Sequence, residues 1–284
     1  ITVKESPNWL KNYFKAVGIR CINNVVDATN FVLHAMGQPI HAFDADKIKG
    51  NHVIVKNLPE GTPFISLDGV ERKLSAEDLM ICDENGGMCI GGVFGGLESG
   101  VSETTTKIFL ESAYFNPISI RKTARRHGLN TDASFRYERG CDPNNTIYIL
   151  KFAALLIQHV AGGKVSSDIV DIYPEKIEPR KVDITYEKIN NLIGKEIGKT
   201  TIKTILSALE MDILKETETG LQLSIPTYRV DVERDVDVIE DILRIYGYNN
   251  VFPGDSVKSS ISYSSKPDSH KLQNLVSEQL TANG

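Results

Sequence analysis

Residues 125–140, RRHGLNTDASFRYERG, place four arginines, one histidine, two acids and two glycines in sixteen positions with almost no apolar periodicity. Burying Asp132, Arg136, Glu138 and Arg139 without partners is costly, so these groups must pair, face water or meet a polar ligand. The stretch reads as the wall of a site. Three other segments carry residue types capable of chemistry. GQPIHAFD (37–44) sets His41 and Asp44 beside a proline, outside any clear periodicity, where a histidine is commonly just a satisfied polar group. IFLESAYF (108–115) embeds Glu111 among apolar neighbours. A carboxylate there needs either an ion pair, with an arginine of 125–139 as the ordinary partner, or a specific ligand. GGVFGGLESG (91–100) holds five glycines but neither a GK[ST] ending nor a GxGxxG register. Its glycines therefore serve close backbone approach, or a ligand lying against exposed N–H groups, rather than a phosphate loop.

Composition narrows the function classes. The 284 residues are 41% apolar, enough for two cores, and the net charge of −5 excludes a broad basic surface for nucleic acid. Any RNA contact must be local or shared. One local set is Arg121, Lys122, Arg125 and Arg126, whose spacing puts four cations on one helical face, although a solvated helix face has the same pattern. Cys21, Cys82, Cys89 and Cys141 form no CxxC pair and are expected as reduced core or near-core thiols. The six histidines are scattered without an HExxH motif, which argues against a transition-metal site. No run approaches the ~20 apolar residues of a membrane span and no signal segment is visible, so the expected location is the cytoplasm, with no membrane partner.

The elements that must position these residues can be read from caps and periodicity. Ser6 and Pro7 predict the start of a helix that Gly18 ends, and a second helix is expected over 25–36. Short strands follow: 52–56, a hairpin PFISL-DG-VERKL turning at Asp68-Gly69, then LMICD and MCIGGV. A strand over 107–115 leads to Asn116-Pro117, which opens a helix closed by Gly128. Asp142-Pro143 opens a long apolar helix ending at Gly162-Gly163. Strands and helices do not alternate regularly, so the expectation is an α+β domain over 1–175 rather than a doubly wound sheet. YPEKIEPRK reads as a linker, and a small winged-helix-like α+β domain is expected over 180–252. The 253–284 segment, with a helix from Ser269, is expected to be the truncated start of a further region.

Taken together the motifs resemble a known family. GIRCINNVVDATNFV, GQPIHAFD, GGVFGG, FLESAYFNP and RRHGLNTDASFRYERG occur in the order and spacing of the editing domain in the beta subunit of bacterial phenylalanyl-tRNA synthetase. PTYRVDVERDVDVIEDILRIYGYNN resembles the small domain that follows it there. The resemblance implies hydrolysis of mischarged tyrosyl-tRNA(Phe) by direct water attack, with Glu111 recognising the tyrosine hydroxyl. It further implies that His41, Thr29, Asn30 and Thr131 act at the reacting ester and that Arg20, Gly92, Gly95, Glu111 and Ala133 bind substrate. In the second domain Asp231, Asp237, Glu240 and Asp241 match acids that hold magnesium together with the alpha subunit, Asp241 standing where a glutamate is expected. Acids in a helix's first turns are favoured by its dipole without any metal. ATP enters only in the complete synthetase, an alpha2beta2 tetramer acting on tRNA(Phe), and the segment itself is not expected to aminoacylate. The alternative is a non-catalytic scaffold that positions tRNA or the alpha subunit.

Overall fold

The computed structural model describes residues 1–252 and 268–284. In chain order the first core contains α1 (Asn8–Val17), α2 (Asn24–Met36), β1 (Ile40–Asp44), β2 (Ile54–Asn57), β3 (Pro63–Ile65), β4 (Glu71–Lys73), β5 (Leu79–Cys82), β6 (Gly87–Ile90), β7 (Phe94–Gly95), β8 (Ile108–Ser112), α3 (Pro117–His127), α4 (Asp132–Tyr137) and α5 (Thr146–Ala161). The second contains β9 (Arg180–Thr185), α6 (Tyr186–Ile193), α7 (Lys199–Ala208), β10 (Asp212–Glu216), β11 (Gly220–Ile225) and α8 (Asp235–Tyr246). A separate helix, α9 (Ser269–Ala282), buries none of its residues. The fold is α+β, with antiparallel sheets throughout the described residues.

The feature that matters most for function is the two-stranded ribbon β1–β8, in which Ile40 faces Ser112, His41 faces Glu111 and Phe43 faces Phe109. Side chains alternate across a strand, so the ribbon has two distinct faces. Ile40, Ala42, Ile108 and Leu110 pack against Val25, Ala28 and Val32 of α2 and Ile149, Ala153 and Ile157 of α5. Each fully buried side chain of this size contributes on the order of 1.5–3 kcal/mol, so this face fixes the ribbon. The other face presents His41, Phe43, Phe109 and Glu111 toward the sheet β2-β5-β6-β7 and the core around Phe64, Met80, Ile90, Phe115 and Tyr137.

Local signals account for most boundaries. Gly37 ends α2 and Gly128 ends α3, both left-handed (φ 75° and 64°), as the residue after a helix often must be. Asn116 caps α3 by accepting from the N–H groups of Ile118 and Ser119. Ser6, expected as a cap, instead donates to Asp27 Oδ2 at 2.6 Å, and α1 begins after Pro7 with no side-chain cap. The β3–β4 connection is a three-residue loop, Leu67–Gly69, closed by Ser66 and Val70, with Gly69 left-handed at φ 74°. β8 stops at Ser112, short of the expected Phe115, because Ala113 leaves the ladder to accept from Gln38, and α5 starts at Thr146, with Asp142 and Pro143 in the turn before it.

The second core forms around Ile189, Ile202, Leu206, Leu223, Val238 and Ile242, with α6, α7 and α8 set against the sheet β10-β11-β9. The two cores meet where Thr227 Oγ1 donates to Asp142 Oδ1 at 2.6 Å and Val230 lies against Gly140. Residues 253–267, part of the expected third region, lie outside the described residues.

Candidate functional site

His41 and Glu111 stand directly opposite each other on the inward face of the ribbon. Both have a shielded polar atom with no partner: His41 Nε2 and Glu111 Oε2. Neither residue is fully enclosed. Burial pushes the Glu111 carboxyl up to about 8 and the His41 imidazole down to about 4. Both are therefore uncharged at neutral pH: a carboxylic acid with one donor and spare acceptor capacity beside a neutral imidazole. The ion pair that would be Glu111's ordinary explanation is absent among the described residues.

The walls are built by the other motifs. A side chain at Gly95 would put its first carbon 3.1 Å from His41 Cε1 and 2.8 Å from Leu67 Cδ1. Gly92, at φ 68°, lies where the same carbon would be 2.7 Å from Phe115 and 3.1 Å from Tyr137. Thr131 caps α4 through Ser134 N–H and donates to Val93 O at 2.8 Å, which ties α4 to the glycine loop. Ala133 packs on the same core. Behind Glu111, Tyr137 donates from its hydroxyl to Pro39 O (3.1 Å), and Gln38 Nε2 donates to Ala113 O at 2.8 Å. These bonds lock the adjoining ends of the strands that carry the pair. The thiol of Cys89, on β6, is pushed well above its ordinary value by burial and then by the nearby Glu111.

The structure thus brings His41, Glu111, Gly92, Gly95, Thr131 and Ala133 to one region. Three further expected residues come from the segment from the end of α1 to α2, whose His34 lies 4.0 Å from Asp132 of α4. Arg20 is exposed in the turn after α1, Thr29 donates its hydroxyl to Val26 O inside α2, and Asn30 follows it on a helix packed on the ribbon's opposite face. Among the described residues no hydrogen bond joins any of them to His41, Glu111 or Thr131. Sequence reading passed over Gln38 and Tyr137, although both lie in quoted motifs. A buried amide beside a proline, and a tyrosine among arginines, were the available signals.

The expected RNA-facing cluster is also redrawn. Arg126 and His127 both contact Asp78, a fully buried carboxylate that further accepts from Thr123 Oγ1 (2.9 Å) and Ser75 N–H (2.8 Å). Burial raises the Asp78 carboxyl, but hydrogen bonds from His127, Ser75 and Thr123 outweigh it and hold it below the ordinary value. Arg126 and His127 are structural staples, and Arg125 keeps an exposed side chain. At the end of the segment, Arg139 pairs with Glu138 at 2.7 Å and Arg136 with Asp132 at 3.8 Å, both on the surface.

The acids of the second domain have partners other than a metal. Asp241, buried, accepts from Arg229 and from Arg244 (2.7 Å). Asp231 pairs with Arg229 at 3.0 Å, and Asp237 accepts from the N–H groups of Glu233 and Arg234 at the start of α8. Glu240 is exposed. Among the described residues no three His, Cys, Asp or Glu side chains are grouped so as to hold a metal ion by themselves. The four cysteines are free thiols, Cys21 partly exposed and the rest buried. No helix among the described residues is long and apolar enough to cross a membrane.

Comparison with known proteins is consistent with this geometry. Residues 1–162 match the family described as B3/4 domain, and residues 182–248 match the tRNA synthetase B5 domain. The chain is 61% identical over 285 residues to the phenylalanine–tRNA ligase beta subunit of Bacteroides thetaiotaomicron, covering all of this chain and 35% of that protein. It is 54% identical to that of Porphyromonas gingivalis with the same coverage. It also resembles a solved N-terminal fragment of the phenylalanyl-tRNA synthetase beta subunit of Pyrococcus horikoshii, with 17% identity, a TM-score of 0.40, and coverage of 79% of this chain and 65% of that one. The chain spans about 35% of the length of these two curated relatives. It belongs to the B3/4-domain family, as the B3/4 and B5 part of a phenylalanine–tRNA ligase beta subunit.

Proposed function

We propose that this part of the beta subunit hydrolyses tyrosyl-tRNA(Phe), with residues 1–175 as the hydrolytic unit and residues 180–252 packed against it as a small supporting domain. The observation that carries the reading is the orphaned Oε2 of Glu111, opposite the orphaned Nε2 of His41 and close to Gly95. A pocket built for phenylalanine rejects the extra hydroxyl of tyrosine by only ~100-fold, so a second, polar test of the side chain is needed. Tyrosine supplies Glu111 with a hydrogen-bond partner, whereas phenylalanine leaves it unpaired at a cost of roughly 1–3 kcal/mol. Because Glu111 is uncharged at neutral pH, entry of the aromatic ring does not require desolvating a carboxylate.

Hydrolysis then proceeds by water. The carbonyl carbon of the ester gains a bond to water oxygen, its bond to the ribose oxygen breaks, and free tyrosine and a tRNA 3′ end leave. Among the described residues no side chain near the pair is a competent nucleophile: burial keeps Cys89 a thiol, and Ser134 is engaged in the cap of α4. His41 is a poor proton acceptor, since burial disfavours its imidazolium. It orients the water or the ribose through a hydrogen bond, and the vicinal ribose hydroxyl of the substrate relays the proton. Thr131, Ala133 and the backbone of Gly92 and Gly95, which packs close beside the pair, hold the aminoacyl group. Arg20, Thr29 and Asn30 act, on this reading, on the nucleotide rather than on the amino acid.

The whole ligase would supply the rest: an alpha subunit in an alpha2beta2 tetramer, tRNA(Phe), and ATP with magnesium for aminoacylation, in the cytoplasm. No step here is routed through a metal. The test is release of tyrosine from tyrosyl-tRNA(Phe) by this chain and by the assembled ligase. Release faster than in buffer, with no tyrosine trapped on the protein, is expected. Release no faster than buffer by both forms contradicts the proposal.

A further inference from the structure

The outward side of α4 carries an arrangement that the pocket does not use. Phe135 is 51% exposed, and the guanidinium of Arg139 lies 3.5 Å from its ring centroid. That guanidinium is fixed in place: it donates to Phe135 O at 3.0 Å and to Glu138 Oε1 at 2.7 Å. Arg136 approaches the same ring at 5.7 Å, and Arg121 reaches over from α3 to donate to Glu138 O at 3.1 Å. One face of the ring is backed by a cation, and about half of the residue is open to solvent. Arg121, Arg136 and Arg139 stand here against Asp132 and Glu138, a local excess of one positive charge (3 − 2) in a chain whose net charge is −5.

An aromatic face backed by a guanidinium, beside further arginines, is the chemistry that holds an unpaired base and its phosphates. Two residues separate Phe135 from Ala133, a rotation of about 200° around the helix, so a nucleotide esterified in the pocket cannot also lie on Phe135. We propose that Phe135, backed by Arg139, is the stacking platform for an unpaired nucleotide preceding the esterified one at the RNA 3′ end. This inference rests on the editing reading. It moves the RNA contact from Arg126, which Asp78 holds, to the far end of the same segment.

The experiment compares two substrates with the assembled ligase: tyrosyl-tRNA(Phe) and the minimal ester 3′-O-tyrosyl-adenosine, which lacks the preceding nucleotides. Phe135→Ala is expected to raise KM for tyrosyl-tRNA(Phe) about 10- to 100-fold with kcat little changed, the size of one lost base stack. Its hydrolysis of the minimal ester should match that of the unmodified protein. Phe135→Trp should restore KM, and Arg139→Ala should raise it by less and lose that effect at high salt. If the unmodified protein hydrolyses both substrates but Phe135→Ala slows both equally, or neither, the platform is overturned while editing stands. If the unmodified protein hydrolyses neither substrate, the editing reading fails and takes the platform with it.

Discussion

Asp78 and Glu111 are both buried carboxyl groups in the first core, and the protein treats them in opposite ways. Asp78 receives hydrogen bonds from Thr123, Arg126, His127 and the backbone of Ser75. Glu111 has an oxygen with no partner at all and faces a histidine in the same condition. The fold can satisfy an enclosed acid when only the joint between α3 and the β4–β5 loop depends on it. Leaving Glu111 unsatisfied costs stability, and that cost makes sense where a ligand completes the hydrogen bonding. Asp241 in the second domain follows the Asp78 pattern, held by two arginines, so it reads as part of a structural network.

The largest expected effect that can break this comparison is in stability. Asp78→Ala should lower the free energy of unfolding by about 3–5 kcal/mol in urea titration, because it strands Arg126 and His127 as well as removing the acid. Glu111→Met, of similar volume, should leave stability unchanged or raise it. Comparable losses in the two variants would mean that Glu111 has partners in solution.

The next effect is in pH dependence. Folded Glu111 keeps its proton up to about pH 8 instead of 4.5, so its contribution to stability declines as pH rises across that window. His41 stays neutral when folded down to about pH 4 instead of 6.5, so its contribution grows as pH rises from 4 to 6.5. The two slopes oppose each other up to about pH 6.5, and from there to about 8 the Glu111 slope stands alone. At about 1.4 kcal/mol per pH unit, the unmodified chain should lose up to about 2 kcal/mol over that interval relative to Glu111→Gln. Parallel curves for the two proteins would show that Glu111 is ionised at neutral pH. The smallest effect concerns the second domain: millimolar magnesium should leave the Tm of this chain unchanged, since arginines already occupy Asp231 and Asp241. A rise with magnesium would show that the acids exchange arginine for metal.

Much of the fold was legible because it rests on local chemistry. Gly18, Gly37 and Gly128 end helices where a left-handed residue is needed, and Asn116-Pro117 starts one. The strands were shorter than the apolar runs suggested, because residues such as Ala113 leave the ladder to bond elsewhere. Glu111 was conspicuous in the sequence as an acid among apolar residues. Whether an arginine met it was a tertiary fact: the arginines of the 125–139 segment went to Asp78, to Glu138 and to Phe135, and none turned toward the ribbon. The staple role of Arg126 and His127 was hidden for the same reason, since Asp78 lies 48 and 49 positions away in a loop without distinguishing pattern. Likewise, acids spaced like a metal set do not reveal that Arg229 and Arg244 take them first.

The central claim is that Glu111 reads the hydroxyl of tyrosine. The direct measurement is the ratio of hydrolysis rates on tyrosyl- and phenylalanyl-tRNA(Phe) for the assembled ligase and its Glu111→Ala variant. The account predicts that this preference falls by roughly 5- to 150-fold, the equivalent of one hydrogen bond to an otherwise orphaned group. A variant that keeps the preference of the unmodified enzyme would contradict it.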